Sequence, residues 1–481
     1  MYDYHDADLL APVRGHLYKH QAEAFLFVLS LFGILSGTPP DSTGAGLLFE
    51  MGCGKTICSI GIAGYMYQAG LIKRLLVVSP LSVMGVWEEE FAKFAAFPYT
   101  LTILTGTAQH KKKQLLNTGG RGLEVVLVNY ESAWRLLPEL LAYNACMIIV
   151  DEMHKLKDGK SQQSKGMHQL GDHTKYRLGL TGTLICGSEI DVWSQYRFLA
   201  PDVFGRSFFR FRNRYFWMGG YEQHVPYFRK EMGNEFLSLL HSISYRVTKA
   251  EALDLPEVTE EIRPVDLEPE AMRLYEQIRN DSYAELRNGE ITAANVLTRL
   301  LRLSQISGGF ITDDDGKTRS VSTAKLNALS DILDAAGVSG EKIVIMARFK
   351  AELDAIEDLL VKKKIGYGVI RGGVKDRDEQ IRRFQNDADC TVFLGQIAAA
   401  GVGITLTAAS TMIFFSLDYS MSNHDQAKAR IHRVGQRNTC TYIYLCARNT
   451  VDGKVITALQ NKQDLAKALV DDYRMGRDPF S

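Results

Sequence analysis

Neither sign of charge is in excess: 56 lysines and arginines stand against 56 acids, a formal net charge of zero. No global positive field steers such a chain to nucleic acid or to an anionic membrane surface, so any binding to phosphate must use a local cationic track. Paired cysteines are also lacking. The seven cysteines are scattered at positions 53, 58, 146, 186, 390, 440 and 446, and no two form a CxxC pair. An odd, unpaired set gives no support to a disulfide framework or a zinc site and fits small buried apolar side chains in a reducing compartment. Long hydrophobic runs are missing too. The longest, Ala24–Leu35, falls short of the roughly 20 residues that span a bilayer and reads as a buried helix. The start, Met1-Tyr-Asp-Tyr-His5, is polar and acidic, so no secretory signal is expected. No short-period repeat or low-complexity stretch occurs.

What is present is the composition of a folded protein, 46% hydrophobic and 23% charged, so disorder is not expected. At 481 residues and about 150 residues per domain, two to four units are expected. Short apolar or β-branched runs recur between helical segments. The strand candidates are Leu75–Ser79, Val125–Val128, Met147–Val150 and Arg177–Leu180, then Lys342–Met346, Tyr367–Ile370, Thr391–Leu394, Met412–Phe415 and Tyr442–Leu445. Near-continuous apolar strands are those of parallel sheets covered on both faces by helices. Two such series imply an α/β fold with two parallel-sheet lobes. The interval differs: aromatic, arginine-rich helical patterning to about Tyr245, an extended stretch with Pro256 and Pro264, then helical spacing of Leu274, Ile278, Leu297, Leu300, Leu301 and Leu303. The expected organisation is residues 1–188 as lobe 1, 189–250 as its helical insertion and 251–267 as a linker. Residues 268–310 follow as a helical insertion of lobe 2, 311–454 as lobe 2 and 455–481 as a C-terminal helical segment, with Thr312–Ser320 an exposed loop.

Three motifs carry chemistry. Leu47-Leu-Phe-Glu-Met-Gly-Cys-Gly-Lys-Thr56 precedes a helix-compatible segment. Glycines 52 and 54 let backbone N–H groups of the Met51–Gly54 turn face an anion, and a helix starting there adds its positive end. Lys55 then reaches the β/γ-phosphates and Thr56 a Mg²⁺ ion. Phe49 stands where a strict P-loop has its first glycine, so a glycine-rich turn with a chance lysine is the other reading. The second motif settles the choice: the buried run Met147–Val150 ends in Asp151 and Glu152, at the strand end where α/β proteins place ligand chemistry. Asp151 would hold the Mg²⁺ and Glu152 would polarise the attacking water. In the third, Gln426-Ala-Lys-Ala-Arg-Ile-His-Arg-Val-Gly-Gln436, Arg430 and Arg433 lie three apart, as on one helix face. Together they can neutralise a transferring γ-phosphate.

With these residues in view, the chain from Leu17 to about Thr457 resembles helicase superfamily two, and within it the Swi/Snf-type DNA translocases. Tyr18-Lys-His-Gln21 resembles the motif whose glutamine reads the adenine edge. The run Val77–Glu88, which holds Ser79, Pro80, Leu81 and Trp87, resembles motif Ia, which touches one DNA strand. Asp151-Glu-Met-His154 resembles the DExH box, and Leu180-Thr181-Gly182-Thr183 resembles motif III. Ile343–Phe349, ending in Arg348 and Phe349, resembles motif IV. Gly395–Leu406, with Gln396 and Gly403, resembles motif V. Arg430–Gln436, with its HRVGQ ending, is similar to the family's motif VI. Gln396 and the run Thr183-Leu-Ile-Cys-Gly187 depart from the usual forms of motifs V and III.

The resemblance implies two RecA-like lobes with Mg-ATP between them, Gln21, Lys55, Thr56, Asp151 and Glu152 on the first and Gln426, Arg430 and Arg433 on the second. It implies DNA contacts from Ser79, Pro80, Leu81, Trp87, Thr181, Gly182, Thr183, Arg348, Phe349 and Gln396, and nucleotide contacts from Gly403 and the Met51–Gly54 turn. The function implied is a DNA-dependent ATPase that translocates on duplex DNA and remodels protein–DNA complexes or branched DNA. A strand-separating helicase and an ATP-switched DNA-binding module are the alternatives. Duplex or branched DNA is the expected partner, with proteins recruited in trans, no membrane and a monomeric motor. The expected location is the cytoplasm of a bacterium or phage-infected host, or a nucleus in a eukaryote. The family's chromatin-reading modules have no counterpart expected here. His154 reads either as a coupling residue between Glu152 and motif III or as structural. The run Arg206–Phe216, four arginines among aromatics, reads equally as DNA-facing or as a helix packing its aromatics inward. Lys111-Lys112-Lys113 reads as a solvated helix face.

Overall fold

The computed structural model describes residues 10–35, 39–185, 188–219, 225–252, 255–288, 293–312, 317–374, 376–400 and 404–460. The chain divides into two compact units, Met1–Leu253 and Asp254–Ser481.

The strands of the first unit are β1 (Gly44–Phe49), β2 (Arg74–Ser79), β3 (Tyr99–Ile103), β4 (Leu123–Asn129), β5 (Met147–Asp151), β6 (Tyr176–Leu180), β7 (Phe216–Gly219), β8 (Val225–Phe228) and β9 (Ser244–Val247). Seven of them form one sheet in the order β3-β4-β2-β5-β6-β1-β9, every pair parallel. Strands β1, β5 and β6 are buried throughout, because helices cover both faces and leave no solvent side for alternation to report. The helix Lys19–Leu31, which overlaps the run Ala24–Leu35 expected as a buried helix, packs Phe25, Val28 and Leu29 into this core.

The second unit holds β10 (Val258–Val265), β11 (Phe310–Thr312), β12 (Thr318–Ser320), β13 (Ile343–Ala347), β14 (Gly366–Ile370), β15 (Cys390–Gln396), β16 (Thr411–Phe414) and β17 (Cys440–Ala447). Its six-stranded sheet runs β10-β17-β16-β13-β15-β14, again all parallel. Strand alternation splits its core in two. Val344, Met346, Phe393 and Met412 enter one cluster, and Ile343, Ile345, Val392 and Ile413 the other. A further cluster joins Tyr275, Leu300 and Leu303 to Val451 and Val455 of the helix Val451–Gln460.

Three segments differ from the sequence expectation. Residues 258–265, expected as linker, form the edge strand β10, paired with β17 along its whole length. Its Glu260, Glu261, Arg263 and Pro264 disguise it, and an edge is where charges and proline are tolerated. The insertion expected to be helical also contains the antiparallel β7–β8 hairpin and β9, which completes the first sheet beside β1. The expected loop Thr312–Ser320 is bounded by a short β11–β12 pairing. Of the C-terminal segment 455–481, residues 461–481 lie outside the described residues. No helix among the described residues is long and apolar enough to cross a membrane.

Candidate nucleotide-binding and hydrolysis site

Four neighbouring strands in the first sheet, β2, β5, β6 and β1, end in Ser79, Asp151, Leu180 and Phe49. The P-loop, the acid pair and the motif III turn, far apart in sequence, therefore meet along one carboxyl edge. The loop after β1 turns into the helix Lys55–Gln68 through Gly54, whose φ of 81° lies in the left-handed region. A Cβ on Gly54 would also lie 2.1 Å from the Gln21 Nε2 atom. Both constraints call for glycine at this position. Lys55 Nζ donates to the Phe49 carbonyl at 2.9 Å, so the lysine folds back across the loop where a strict P-loop has its first glycine. Met51, Gly52 and Thr56 are half-buried and Cys53 is buried.

Gln21 is tied to this loop. Its Oε1 accepts from Tyr18 N at 3.0 Å, and its Nε2 donates to the Cys53 carbonyl at 3.1 Å. His20 Nε2 lies 2.8 Å from the same carbonyl. A carbonyl only accepts, which fixes the His20 proton on Nε2.

Asp151 and Glu152 are buried at the end of β5. Glu152 N donates to Asp151 Oδ1 at 2.9 Å, and Asp151 Oδ2 accepts from the Trp87 indole at 2.9 Å. Burial first, and the Glu152 charge second, push the Asp151 carboxyl above its ordinary range. Glu152 has φ 54° and ψ 52°, a conformation a side-chain-bearing residue adopts at a cost of about 1–3 kcal/mol. The Tyr130 hydroxyl holds this turn, reaching the Asp151 carbonyl at 2.6 Å and the Glu152 carbonyl at 3.2 Å. Sequence reading missed Tyr130, since a tyrosine after a strand carries no signal of its partner.

A polar chain then leaves Glu152. Its Oε2 lies 3.2 Å from His154 Nδ1, which is also 3.2 Å from Thr181 Oγ1. Thr181 Oγ1 donates to the Thr183 carbonyl at 3.0 Å and accepts from Thr183 N at 3.1 Å. One proton on His154 Nδ1 faces two acceptors, so the ring bridges the acid pair and the turn after β6. Gly182 packs against the Phe49 carbonyl.

Several expected DNA contacts are placed otherwise. Trp87 is a correction: it is 1% exposed and its indole serves Asp151. The bulky ring packs in the core beside Phe91, with its N–H turned to the Asp151 carboxylate. Ser79 and Thr181 are buried as well, Thr181 by the turn it organises. Of the motif Ia residues expected to touch DNA, Leu81 is 71% exposed and Pro80 is half-buried. Lys111 and Lys112 engage the protein itself, through Ser132 at 2.6 Å and Glu139 at 2.5 Å.

In the second unit, the helix Met421–Lys428 ends before the arginines. The expected single helix face is thus replaced by a turn, in which Gly435 has φ 99°. Arg430 Nη1 and Arg433 Nη1 nonetheless converge, both donating to the Ile404 carbonyl, at 3.1 and 3.3 Å. Gln436 fastens the arrangement: Nε2 donates to the carbonyls of Ala409 at 2.8 Å and Ile431 at 3.2 Å, and Oε1 accepts from Arg437 N and Asn438 N. Gln426 is buried on the helix. Gly403 lies outside the described residues.

The ends of β15, β13 and β16 meet likewise. Gln396 Nε2 donates to the Arg348 carbonyl at 3.3 Å and its Oε1 accepts from Gly372 N at 3.1 Å. The Arg348 guanidinium lies 3.9 Å over the Tyr419 ring, with Phe349 beside it. Beneath them Glu352 is fully buried, accepting from Phe349 N at 3.0 Å, Arg348 N at 3.2 Å and the Ser416 hydroxyl. Its desolvation, opposed by those donors and by Lys325, pushes the carboxyl up to about 7 from 4.5. The folded state therefore holds this proton more tightly than the unfolded chain. The stability that follows is full below pH 4.5 and lost as pH rises through about 7. Glu352→Gln, which cannot ionise, is expected to gain on the wild type as pH rises, by up to about 3 kcal/mol at roughly 1.4 kcal/mol per unit. Denaturant midpoints at acid and alkaline pH measure this, and an advantage of the variant that shrinks with pH would contradict it.

Two parallel sheets with a P-loop and an acid pair at neighbouring strand ends define a P-loop nucleotide-binding protein built of two RecA-like lobes. Residues 20–308, more than half of the chain, match the SNF2-related domain, and residues 324–435 match the helicase conserved C-terminal domain. The chain belongs to the SNF2-related family. An uncharacterized ATP-dependent helicase of Mycoplasma genitalium is 27% identical over 470 residues, covering 95% of this chain and 43% of that protein. The transcription regulatory protein SNF2 of Saccharomyces cerevisiae is 26% identical over 482 residues, covering 94% of this chain and 28% of that protein. The chain thus spans less than half of either curated relative. A solved Sulfolobus solfataricus SWI2/SNF2 ATPase core in complex with dsDNA aligns with a TM-score of 0.46 and 24% identity, covering 97% of this chain and 95% of that one.

Proposed function

We propose that the chain is a DNA-stimulated ATPase motor that moves along duplex DNA and remodels protein–DNA complexes or branched DNA. The observation that carries this is the bridge Glu152–His154–Thr181–Thr183, which ties a hydrolytic carboxylate to the neighbouring turn. An ATPase with no second task has no need to couple its base to another loop. Lys55 and the N-terminus of its helix would bind the phosphates, Gln21 the adenine edge, and Glu152 would take the proton from the attacking water. Arg430 and Arg433, together on one carbonyl, would offset charge building on the γ-phosphate. That carbonyl, of Ile404, belongs to the segment that leaves β15 at Gln396, whose amide is joined to Arg348. Nucleotide and DNA contacts would thus share one element.

The site fits a hard divalent cation. Buried Asp151 beside Glu152 is a carboxylate pair whose mutual repulsion a cation would relieve, and a carboxylate with the Thr56 hydroxyl is an oxygen donor set of the kind Mg²⁺ takes. When bound, Mg²⁺ would neutralise phosphate charge and help orient the γ-phosphate. Every other step falls to the side chains above. Phosphate-backbone contacts would make the motor sequence-tolerant and salt-sensitive.

The test is an ATPase screen with blunt duplex, single strands, forks, four-way junctions and RNA. Duplex and branched DNA are expected to raise turnover most, with stimulation falling as salt rises. Stimulation by RNA alone would overturn the DNA assignment, and wild-type protein inert with every polymer would leave a nucleotide-switched binding module.

A further inference from the structure

The run Arg206–Phe216 combines both of the readings its sequence allows. Phe211, Tyr215 and Phe216 turn inward, onto Phe204, Phe228 and Phe236. Beyond them the β7–β8 hairpin repeats the division. Phe216 and Phe228 are the inward cross-strand pair, and Trp217 and Tyr227 the outward one. The outward rings stack, centroids 4.5 Å apart and planes 16° from parallel, while Trp217 is 52% exposed. Gly219 makes room for this: a Cβ there would sit 2.4 Å from Trp217 Cζ3. One Trp217 face stacks on Tyr227, and about half of the residue stays exposed. Between Arg206 and Lys230 the sequence holds six arginines and lysines against one acid, Glu222. Arg206 and Arg214 pair with Asp172 and Glu235, whereas Arg212 lies over exposed Phe209.

We propose that the Trp217–Tyr227 pair is a stacking platform for an unpaired base of a nucleic-acid strand, whose backbone charge is met by the cations of the neighbouring helix and of Lys230. A packed core needs only the inward pair. An outward indole stacked on one side is half of a sandwich that a base completes, and every base has the required π-face. The excess of cations selects a polyanion over an apolar protein surface. A blunt duplex offers no free base, so the platform would act at forks and junctions. The inference deepens the proposed function by naming the DNA feature engaged. It rests on that reading only for the class of polymer.

The experiment measures equilibrium binding without ATP, so it is decided whether or not any nucleic acid stimulates hydrolysis. Full-length wild type, Trp217→Leu and Trp217→Phe are titrated with a blunt duplex and with forks carrying DNA or RNA arms. Leucine keeps apolar packing on Tyr227 but removes the π-face, whereas phenylalanine retains it. The expected result is a loss of about 5- to 100-fold in fork affinity for Trp217→Leu, unchanged duplex affinity and substantial rescue by Trp217→Phe. Indole fluorescence that falls on fork binding in wild type, and not in Trp217→Phe, reports the same stacking contact by an independent signal. The DNA and RNA arms show which polymer supplies the base. Equal fork affinities of wild type and Trp217→Leu, equal losses on fork and duplex, or a loss confined to self-association would each overturn the proposal.

Discussion

Glu152→Gln is expected to lower nucleic-acid-stimulated ATP turnover by about 10²–10⁴-fold while leaving ATP binding intact. The substitution keeps the side chain's length but removes the carboxylate that can accept a proton from water. The fold should tolerate it, because Glu152 adds an unfavourable charge beside buried Asp151 and the Tyr130 hydroxyl anchors the turn through backbone carbonyls. If His154 relays the nucleotide state to Thr181, the variant should also retain DNA more strongly in ATP than the wild type does. Single-turnover hydrolysis separates chemistry from binding, and filter binding with ATP measures the retention. Turnover within a few-fold of wild type would remove Glu152 as the base. Lost turnover with lost ATP binding would instead mark it as structural.

The legibility of this molecule in its sequence follows the burial of each part. The nine strand candidates are all strands because sheets covered on both faces demand apolar runs, and Met147–Val150 is such a run. The strands without a sequence signal lack that signature. Ser244–Val247 is four residues at an edge, Tyr99–Ile103 is half-buried throughout, and Val258–Val265 is broken by three charges and a proline. Strand β1 hides in a glycine-rich run whose phosphate-binding loop dominates its pattern. The P-loop, acid pair and arginines are legible because their chemistry restricts residue type and spacing. Their supports are not. Nothing local in the sequence says that Trp87 faces Asp151, that Tyr130 clamps two carbonyls, or that Gln436 fastens its turn to Ala409, since these partners lie 21 to 64 residues away in the chain. Motif resemblance places Trp87 in a DNA-touching segment, but resemblance does not tell which side chains of that segment point inward.

The arginine turn gives a second large expected effect. Arg433→Lys should lower DNA-stimulated turnover by about 10³–10⁵-fold, with a far smaller change in ATP affinity. Charge alone does not explain the requirement, since lysine carries the same charge. A guanidinium presents five donors in a fixed plane and can hold a carbonyl and a phosphate oxygen together. The Ile404 carbonyl, 3.3 Å from Arg433 Nη1, takes the positioning part of that fork. A lysine placed there must choose between carbonyl and phosphate. Arg433 suits the test better than Arg430, which is buried, so that its replacement would disturb packing as well. Gln436 and its carbonyl partners remain in place in Arg433→Lys, which should keep the thermal midpoint near that of wild type. The decisive comparison is DNA-stimulated against unstimulated hydrolysis. A finger that acts only in the DNA-engaged motor predicts that the substitution abolishes most of the stimulation and spares the basal rate. Equal loss of both rates would assign Arg433 to nucleotide binding, and full activity of the lysine variant would reduce its role to that of a diffuse positive charge.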